Sequence, residues 1–464
     1  MSAGMNVSEG VLARADKLRS ALSGDFRDRM VESLYAEADR IANRAVKSGQ
    51  ERKWDLDQRI DRLVTSPIFG IPLMMLLIGT TFWITIIGAN YPSQAIATVL
   101  FALEKRGAEL FQGLGSPWWL TGFLWNGVYR GLAWVISVML PPMAIFFPMF
   151  TILEDLGYLP RVAFNMDWLF RRAGAHGKQS LTMAMGFGCN AAGVVAARII
   201  DSPRERLIAI LTNNFVPCNG RWPTLIMLAT IFVAAQFQPA FASFAAAAAV
   251  TGVVLIGVVF TLIVSWALSR TILRGEASAF TLELPPYRRP SVLRILYTSL
   301  IDRTLFVLWR AIMTAAPAGA VIWVLANINV GGVSLARHIS DFLNPFGHAI
   351  GLDGVILLAY IIAIPANEIV VPTMLMVYLG TGMMTEVTSF DDLRRILVGQ
   401  NGWTLLTAAN LMLFSLLHNP CATTILTMWK ETRSGKWTAI GALMPLAIAF
   451  LVTFAVATVV RLLA

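Results

Sequence analysis

The chain has 464 residues, 56% of them hydrophobic and 14% charged, with a mean hydropathy of +0.64, which is more apolar surface than a soluble core of this length can bury and points to a membrane protein. Its net charge of +9 comes without zinc-ligand spacing, an aromatic RNA-binding stretch or a lysine-rich tail, so nucleic acid is not an expected partner; the basic residues read as orientation signals beside an anionic lipid bilayer. Three cysteines, an odd number set in or beside apolar runs, exclude a secreted disulfide framework.

Residues 1–64 are polar and place Leu12, Leu18, Leu22, Met30, Leu34 and Ala38 at roughly helical spacing, which predicts a cytoplasmic segment of two or three amphipathic helices. No cleavable signal peptide is expected, because the first long apolar run begins near Ile68. A first spanning helix is predicted over 67–87, from an uncharged run between Phe69 and Gly88, with Pro92 marking its end. Residues 93–117 are amphipathic and lead to Trp118, Trp119 and Trp125, which suits a helix at headgroup level. The next span, 131–152, contains Pro141-Pro142, which should break its hydrogen-bond ladder. Further spans are predicted at 205–217, 220–236, 243–268, 304–326, 350–380, 402–418 and 438–462. Hydrocarbon leaves no backbone group unpaired, and runs this long and continuous make helices rather than a closed barrel. The expected fold class is therefore an all-α polytopic bundle.

Several segments are too interrupted to be simple spans. Residues 180–200 read as two half-helices around Gly186-Phe187-Gly188-Cys189-Asn190, and 355–380 as two halves around Pro365-Ala366-Asn367-Glu368. Each is followed by a proline-cysteine break, Val216-Pro217-Cys218-Asn219 in the first case and Asn419-Pro420-Cys421 in the second. The order of a polar break, a helix and then a Pro-Cys break occurs twice, which is an internal repeat. Discontinuous helices at matching positions of two halves mark a midplane binding site.

Cys189, Cys218 and Cys421 all fall on these breaks, where unpaired helix-start amides favour a thiolate, the form that binds metal. A lone buried cysteine is ordinarily a small hydrophobe, but three on breaks and none elsewhere favour a shared site. Glu368 stands beside Asn367 in an apolar run with no basic residue, at a cost of roughly 2.5 to 3.5 kcal/mol on insertion scales, and is a functional candidate. His418 lies three residues before Cys421, and Asn190, Asn213, Asn214 and Asn219 offer carbonyl oxygens, although asparagine also serves as an ordinary helix cap. Mixed sulfur, carboxylate, amide and imidazole donors suit a borderline ion such as Fe(II), with Mn(II) and Zn(II) as the alternatives, while Mg(II) would want oxygens only. The candidate metal ligands are Cys189, Cys218, Cys421, Glu368, Asn190, Asn214, Asn367 and His418. Neither Gly177-Lys178-Gln179 nor Gly435-Lys436-Trp437 completes a phosphate-binding loop, so this chain is expected to bind no nucleotide.

From about residue 55 onward the chain resembles the B component of bacterial ferrous-iron transporters. The resemblance is carried by Asp57-Gln58-Arg59-Ile60-Asp61-Arg62-Leu63; by Leu153-Glu154-Asp155-Leu156-Gly157-Tyr158 with Arg161, Ala163-Phe164, Met166-Asp167 and His176-Gly177-Lys178; by Gly186-Phe187-Gly188-Cys189-Asn190; by Glu283-Leu284-Pro285-Pro286-Tyr287-Arg288; and by Pro420-Cys421. It implies two gate-type repeats and Fe(II) as the transported ion, with the three cysteines along its path. It also implies residence in the inner membrane with a cytoplasmic N-terminus. The chain departs from the family in lacking the fused N-terminal GTPase domain, in carrying Asn367-Glu368 where a Lys-Glu pair is usual, and in following Asn190 by Ala191-Ala192-Gly193. A separately encoded small GTPase, iron-transport accessory proteins and a second copy of the chain are the partners this implies. The expected organisation is 1–64 cytoplasmic, 65–270 the first membrane half and 271–464 the connecting segment and second half. The competing functions are a gate-type carrier of nucleosides or another small organic solute, and a membrane scaffold without transport.

Overall fold

The computed structural model describes residues 14, 26–45, 56–66, 68–275, 287, 290–385, 387 and 389–463. Leu12, Leu18 and Leu22, and the connecting motif apart from Tyr287, lie outside the described residues. The N-terminal segment supplies the helices Phe26–Ala45 and Leu56–Val64. The remainder is an all-α bundle, and the only strands among the described residues are the paired dipeptides Asn329–Val330 and Val333–Ser334.

Among the described residues, six helices are long and apolar enough to cross a membrane: Gly70–Gly113, Trp118–Asp155, Phe241–Arg270, Val307–Asn327, Leu405–Thr432 and Gly435–Leu463. The protein is thus a multi-pass membrane protein. Two expectations about proline need correction. Pro92 does not end the first helix, which continues from Gly70 to Gly113; its neighbours Thr85 and Ala89 are buried, and packing along Arg130–Asp155 outweighs one lost ladder bond. At 1.5 Å per residue this helix is about 66 Å long, and residues 93–113 continue the first helix instead of forming one of their own. Pro141 and Pro142 likewise stay inside Arg130–Asp155, where the buried Trp134, Val135 and Ser137 before the pair and Met143, Phe146, Phe147 and Phe150 after it hold the helix on both sides of the gap. Trp118–Thr121 joins that helix through the wider π-helical turn Gly122–Tyr129, so the tryptophan segment begins the second span.

The segments read as spans at 205–217, 220–236 and 350–380 also differ from expectation. Pro203–Thr212 with Asn213–Phe215, and Trp222–Leu228 continuing to Gln236, are short helices on either side of the first Pro-Cys break. Residues 179–200 form a hairpin of Gln179–Gly188 and Asn190–Ala196 whose ends meet, since Lys178 Nζ lies 2.9 Å from Asp201 Oδ2. Residues 353–378 do the same: Gly354–Ile362 and Val370–Leu379 flank the break, and Tyr378 Oη donates to Asp353 at the mouth. An apolar run has one hydropathy whether the chain crosses or turns back, which is why these were not distinguishable in sequence.

The two repeats match in backbone detail. Cys189 (φ −153°, ψ 122°) and Ala366 (φ −154°, ψ 119°) are extended residues at corresponding hairpin tips, each followed by an asparagine. The amide after each Pro-Cys cysteine then donates to its own hairpin tip, Asn219 N to the Gly188 carbonyl (3.1 Å) and Ala422 N to the Ile364 carbonyl (2.7 Å). A continuous core including Phe215, Leu225, Leu228, Ile356, Val370 and Leu416 packs the two repeats together.

Candidate metal-conducting site

Half-helices that end inside the bundle leave backbone groups and polar side chains that need partners there. The four breaks meet around one small cavity of about 30 Å³, with room for one or two waters. Cys189 and Asn190 reach it from the first hairpin, Cys218 and Asn219 from the first Pro-Cys break, Asn367 and Glu368 from the second hairpin, and Cys421 from the second break. Of the eight candidate ligands, six line this cavity. Asn214 and His418 stand behind it.

These two position the others. Asn190 Nδ2 donates to Asn214 Oδ1 (3.1 Å), and Asn214 Nδ2 donates across the repeats to the His418 carbonyl (2.6 Å). His418 is fully buried, with Nδ1 2.9 Å from the Ser415 carbonyl and 3.1 Å from that of Phe414. The Asn367 amide lies 3.3 Å from His418 Nε2 and 3.9 Å from Cys218 Sγ. With Nδ1 donating to the helix carbonyls, Nε2 accepts, so the amide nitrogen of Asn367 belongs against the ring and its oxygen toward Cys218. Cys421 Sγ is 3.3 Å from Thr424 Oγ1. Asn190 is 3% exposed, and its Oδ1 has no hydrogen-bond partner. A buried acceptor left open at a cavity wall is a place for a cation or water.

Glu368 packs on Gly220, where an added Cβ would come within 2.3 Å of its Oε1. Its carboxylate makes no ion pair with any described residue, and it is the only charged residue between Asp353 and Glu386. Among the described residues, no three His, Cys, Asp or Glu side chains are close enough together to hold one ion. The described residues thus offer donors spread around the cavity wall.

Three residues escaped the sequence reading. Met139 and Met143, one turn apart across the proline pair, add thioethers to the cavity wall. Arg221 is 1% exposed, and its guanidinium donates to the carbonyls of Asn214 (2.8 Å), Leu416 (2.8 Å), His418 (3.2 Å) and Asn419 (3.4 Å) and to Asn214 Oδ1 (3.1 Å). A signal for it was available, since Arg221 is the only charged residue between Arg206 and Arg270. The first repeat thus encloses a cation beside the cavity, and the second places a half-buried carboxylate at its wall.

On the side where the first hairpin opens, Arg198 forms a two-pronged pair with Glu431 (2.7 and 2.8 Å), tying that hairpin to the end of the helix after Cys421. Nearby, the buried Arg161 binds both oxygens of Asp61 (2.8 and 3.1 Å) and stacks 4.0 Å from the Tyr287 ring centroid. The segment around Arg161 thereby joins the N-terminal segment, the first repeat and the connecting segment.

Comparison with known proteins finds similar sequences. A family model described as "Nucleoside recognition" matches residues 136–232 and 308–435, and one described as "Ferrous iron transport protein B C terminus" matches 250–302. The Fe(2+) transporter FeoB of Staphylococcus aureus is 29% identical over 454 residues, covering 93% of this chain and 64% of the relative. That of Synechocystis is 29% identical over 400 residues, covering 85% and 62%. An Fe(2+) transport protein A/Fe(2+) transporter FeoB fusion protein of Porphyromonas gingivalis is 25% identical over 453 residues, covering 88% and 52%. The chain therefore spans less than two thirds of the length of these relatives. No solved structure matches it.

Proposed function

We propose that the chain is a gate-type membrane part of the ferrous-iron transport protein B family and that it carries Fe(II) across the cell membrane through the cavity where its four breaks meet. The observation that carries the proposal is the convergence of Cys189, Cys218, Cys421 and Glu368, distant in sequence, on one cavity. Thiolates and thioethers give the passage affinity for a borderline ion, and the unpaired Glu368 carboxylate offsets part of its charge. The open Asn190 Oδ1 supplies a neutral oxygen donor at the same wall. Thiols bind metal as thiolates, so entry of the ion releases protons, and passage slows as the medium is acidified.

The cavity also speaks against a nucleoside as cargo. At about 30 Å³ it falls an order of magnitude below the roughly 300 Å³ at which small-molecule sites begin. On the same reading the N-terminal segment is cytoplasmic, the two membrane halves are 65–270 and 271–464, and nucleotide hydrolysis, where transport depends on it, belongs to a separate small GTPase. The fused relative motivates an accessory protein of the transport protein A kind as a further partner.

The test is Fe(II) uptake by cells expressing C189S, C218S, C421S or E368Q at matched membrane levels. Serine keeps the size but offers a hard, protonated oxygen. E368Q is expected to show the largest loss, roughly tenfold to a hundredfold, the worth of one charged contact in a buried site. Wild-type uptake by all four variants would make the breaks purely structural and move the scaffold or solute-carrier reading ahead.

A further inference from the structure

Transporters built on broken helices commonly bind a coupling cation at the carbonyl ends of their half-helices, where the helix dipoles point their negative ends and the last carbonyls lack partners. Two such ends face each other here. The short helix before the first Pro-Cys break, Asn213–Phe215, presents the Asn214 carbonyl, and Leu405–Leu417 before the second presents that of Leu416, followed by those of its cap His418 and of Asn419. All four carbonyls, with Asn214 Oδ1, accept from the single guanidinium of Arg221 at 2.8 to 3.4 Å.

We propose that Arg221 is a tethered cation occupying the carbonyl cradle that an exchangeable monovalent ion would otherwise fill, so that cargo moves through this chain without sodium or potassium as co-ion. Charge, donor number and placement all bear on this. The guanidinium is permanently ionised, and its planar fork reaches several acceptors at once, as a monovalent ion in a cradle of oxygens would. Its donors come from one repeat and most of its acceptors from the other, so the cradle is closed only while the two breaks face each other. Arg221 is thus a positioning residue for the adjacent cavity, held next to Cys218 through Arg221 N donating to the Cys218 carbonyl (2.9 Å). Glu368 stays free to meet an entering dication because the guanidinium is engaged elsewhere.

The part of this inference that concerns co-ions rests on the transport reading above, whereas the cradle itself does not, and the experiment separates the two. The full chain and R221A are purified, and their melting temperatures are measured with methylguanidinium, sodium, potassium or the non-binding N-methylglucamine. A ligand that fills the vacated cradle stabilises the folded state, so methylguanidinium is expected to raise the melting temperature of R221A and leave that of the unaltered chain in place. Absence of any shift in R221A overturns the cradle. Both proteins are then reconstituted in liposomes. Uptake of Fe(II) by R221A should fall by roughly tenfold or more, the smallest loss expected on removing a charged donor, and should recover with methylguanidinium. Uptake by the unaltered chain should survive replacement of all sodium and potassium by N-methylglucamine, and a requirement for either ion overturns the proposal. Should R221A not fold, R221K and R221M, of similar length, decide the question: transport by R221K alone supports a tethered charge, and wild-type transport by R221M refutes it. If the unaltered chain moves no Fe(II) at all, it is the transport reading that fails, and the melting shift still decides the cradle.

Discussion

Asp61 lies outside the spanning helices, and the Arg161 guanidinium beside it holds its carboxyl below the usual carboxylate range, against the opposing effect of desolvation. With the folded-state value below the unfolded one, the pair's stabilisation is fully present above about pH 4 and is lost as pH falls through the folded value. The melting-temperature gap between the wild type and D61N should therefore stay constant from about pH 7 to about pH 5 and close in more acid solution; a gap that widened on acidification would contradict the assignment. Asn190 makes a second residue-scale prediction. N190A removes one hydrogen bond to Asn214, a cost of about 1 kcal/mol in stability, but it also removes the open Oδ1 at the cavity wall. Its Fe(II) affinity should drop by more than its stability does, and parallel thermal and binding titrations compare the two. The cysteines, Glu368 and Asn190 were legible in sequence because polar groups at breaks in apolar runs demand an explanation. Arg221 carried a signal as the lone charge of a long apolar stretch, but its partners did not, because nothing in the sequence shows a side chain turning toward carbonyls nearly two hundred positions away.

At the scale of elements, the first hairpin tip and the first Pro-Cys break depend on glycines for different reasons, which gives contrasting predictions. A Cβ at Gly188 would come within 2.0 Å of the Phe146 ring, a buried group with no room to yield. G188A should therefore destabilise the fold by about 1 to 3 kcal/mol, as overpacked cores do. At Gly220 the obstructing atom is the end of the Glu368 side chain, which can swing away, so G220A should fold nearly normally while moving the carboxylate and reducing Fe(II) uptake. Equal loss of stability in both variants would mean that Glu368 is as fixed as Phe146. The repeats themselves were readable from the doubled order of breaks. Their form as hairpins was not, because the contacts that close them, Lys178 with Asp201 and Tyr378 with Asp353, join residues whose side chains look like ordinary loop polarity. Pro92, Pro141 and Pro142 misled in the opposite direction: proline weakens a helix locally, and packing of buried neighbours decides whether the helix actually stops.

For the whole molecule, the Arg198–Glu431 pair places the mouth of the first hairpin and the turn before Gly435–Leu463 on one face. Lys178 sits at the same mouth, and the bias of basic residues toward the cytoplasm predicts that this face is the inner one. Single cysteines introduced in 1–64 and in 270–310, in a cysteine-free background, should resist an impermeant thiol reagent in intact cells and react after lysis; labelling of both segments in intact cells would reverse the orientation. The multi-pass architecture followed from composition and apolar runs alone, whereas the meeting of four breaks at one cavity is a property of the folded repeats. The most direct test of that meeting is anaerobic Fe(II) binding to the purified chain in lipid nanodiscs, compared with the C189S/C218S/C421S variant and with E368Q, in the presence of excess Mg(II). The account predicts Fe(II) binding that Mg(II) does not displace, strongly weakened in both variants although both remain folded; Fe(II) binding of unchanged strength in the triple-cysteine variant would contradict it.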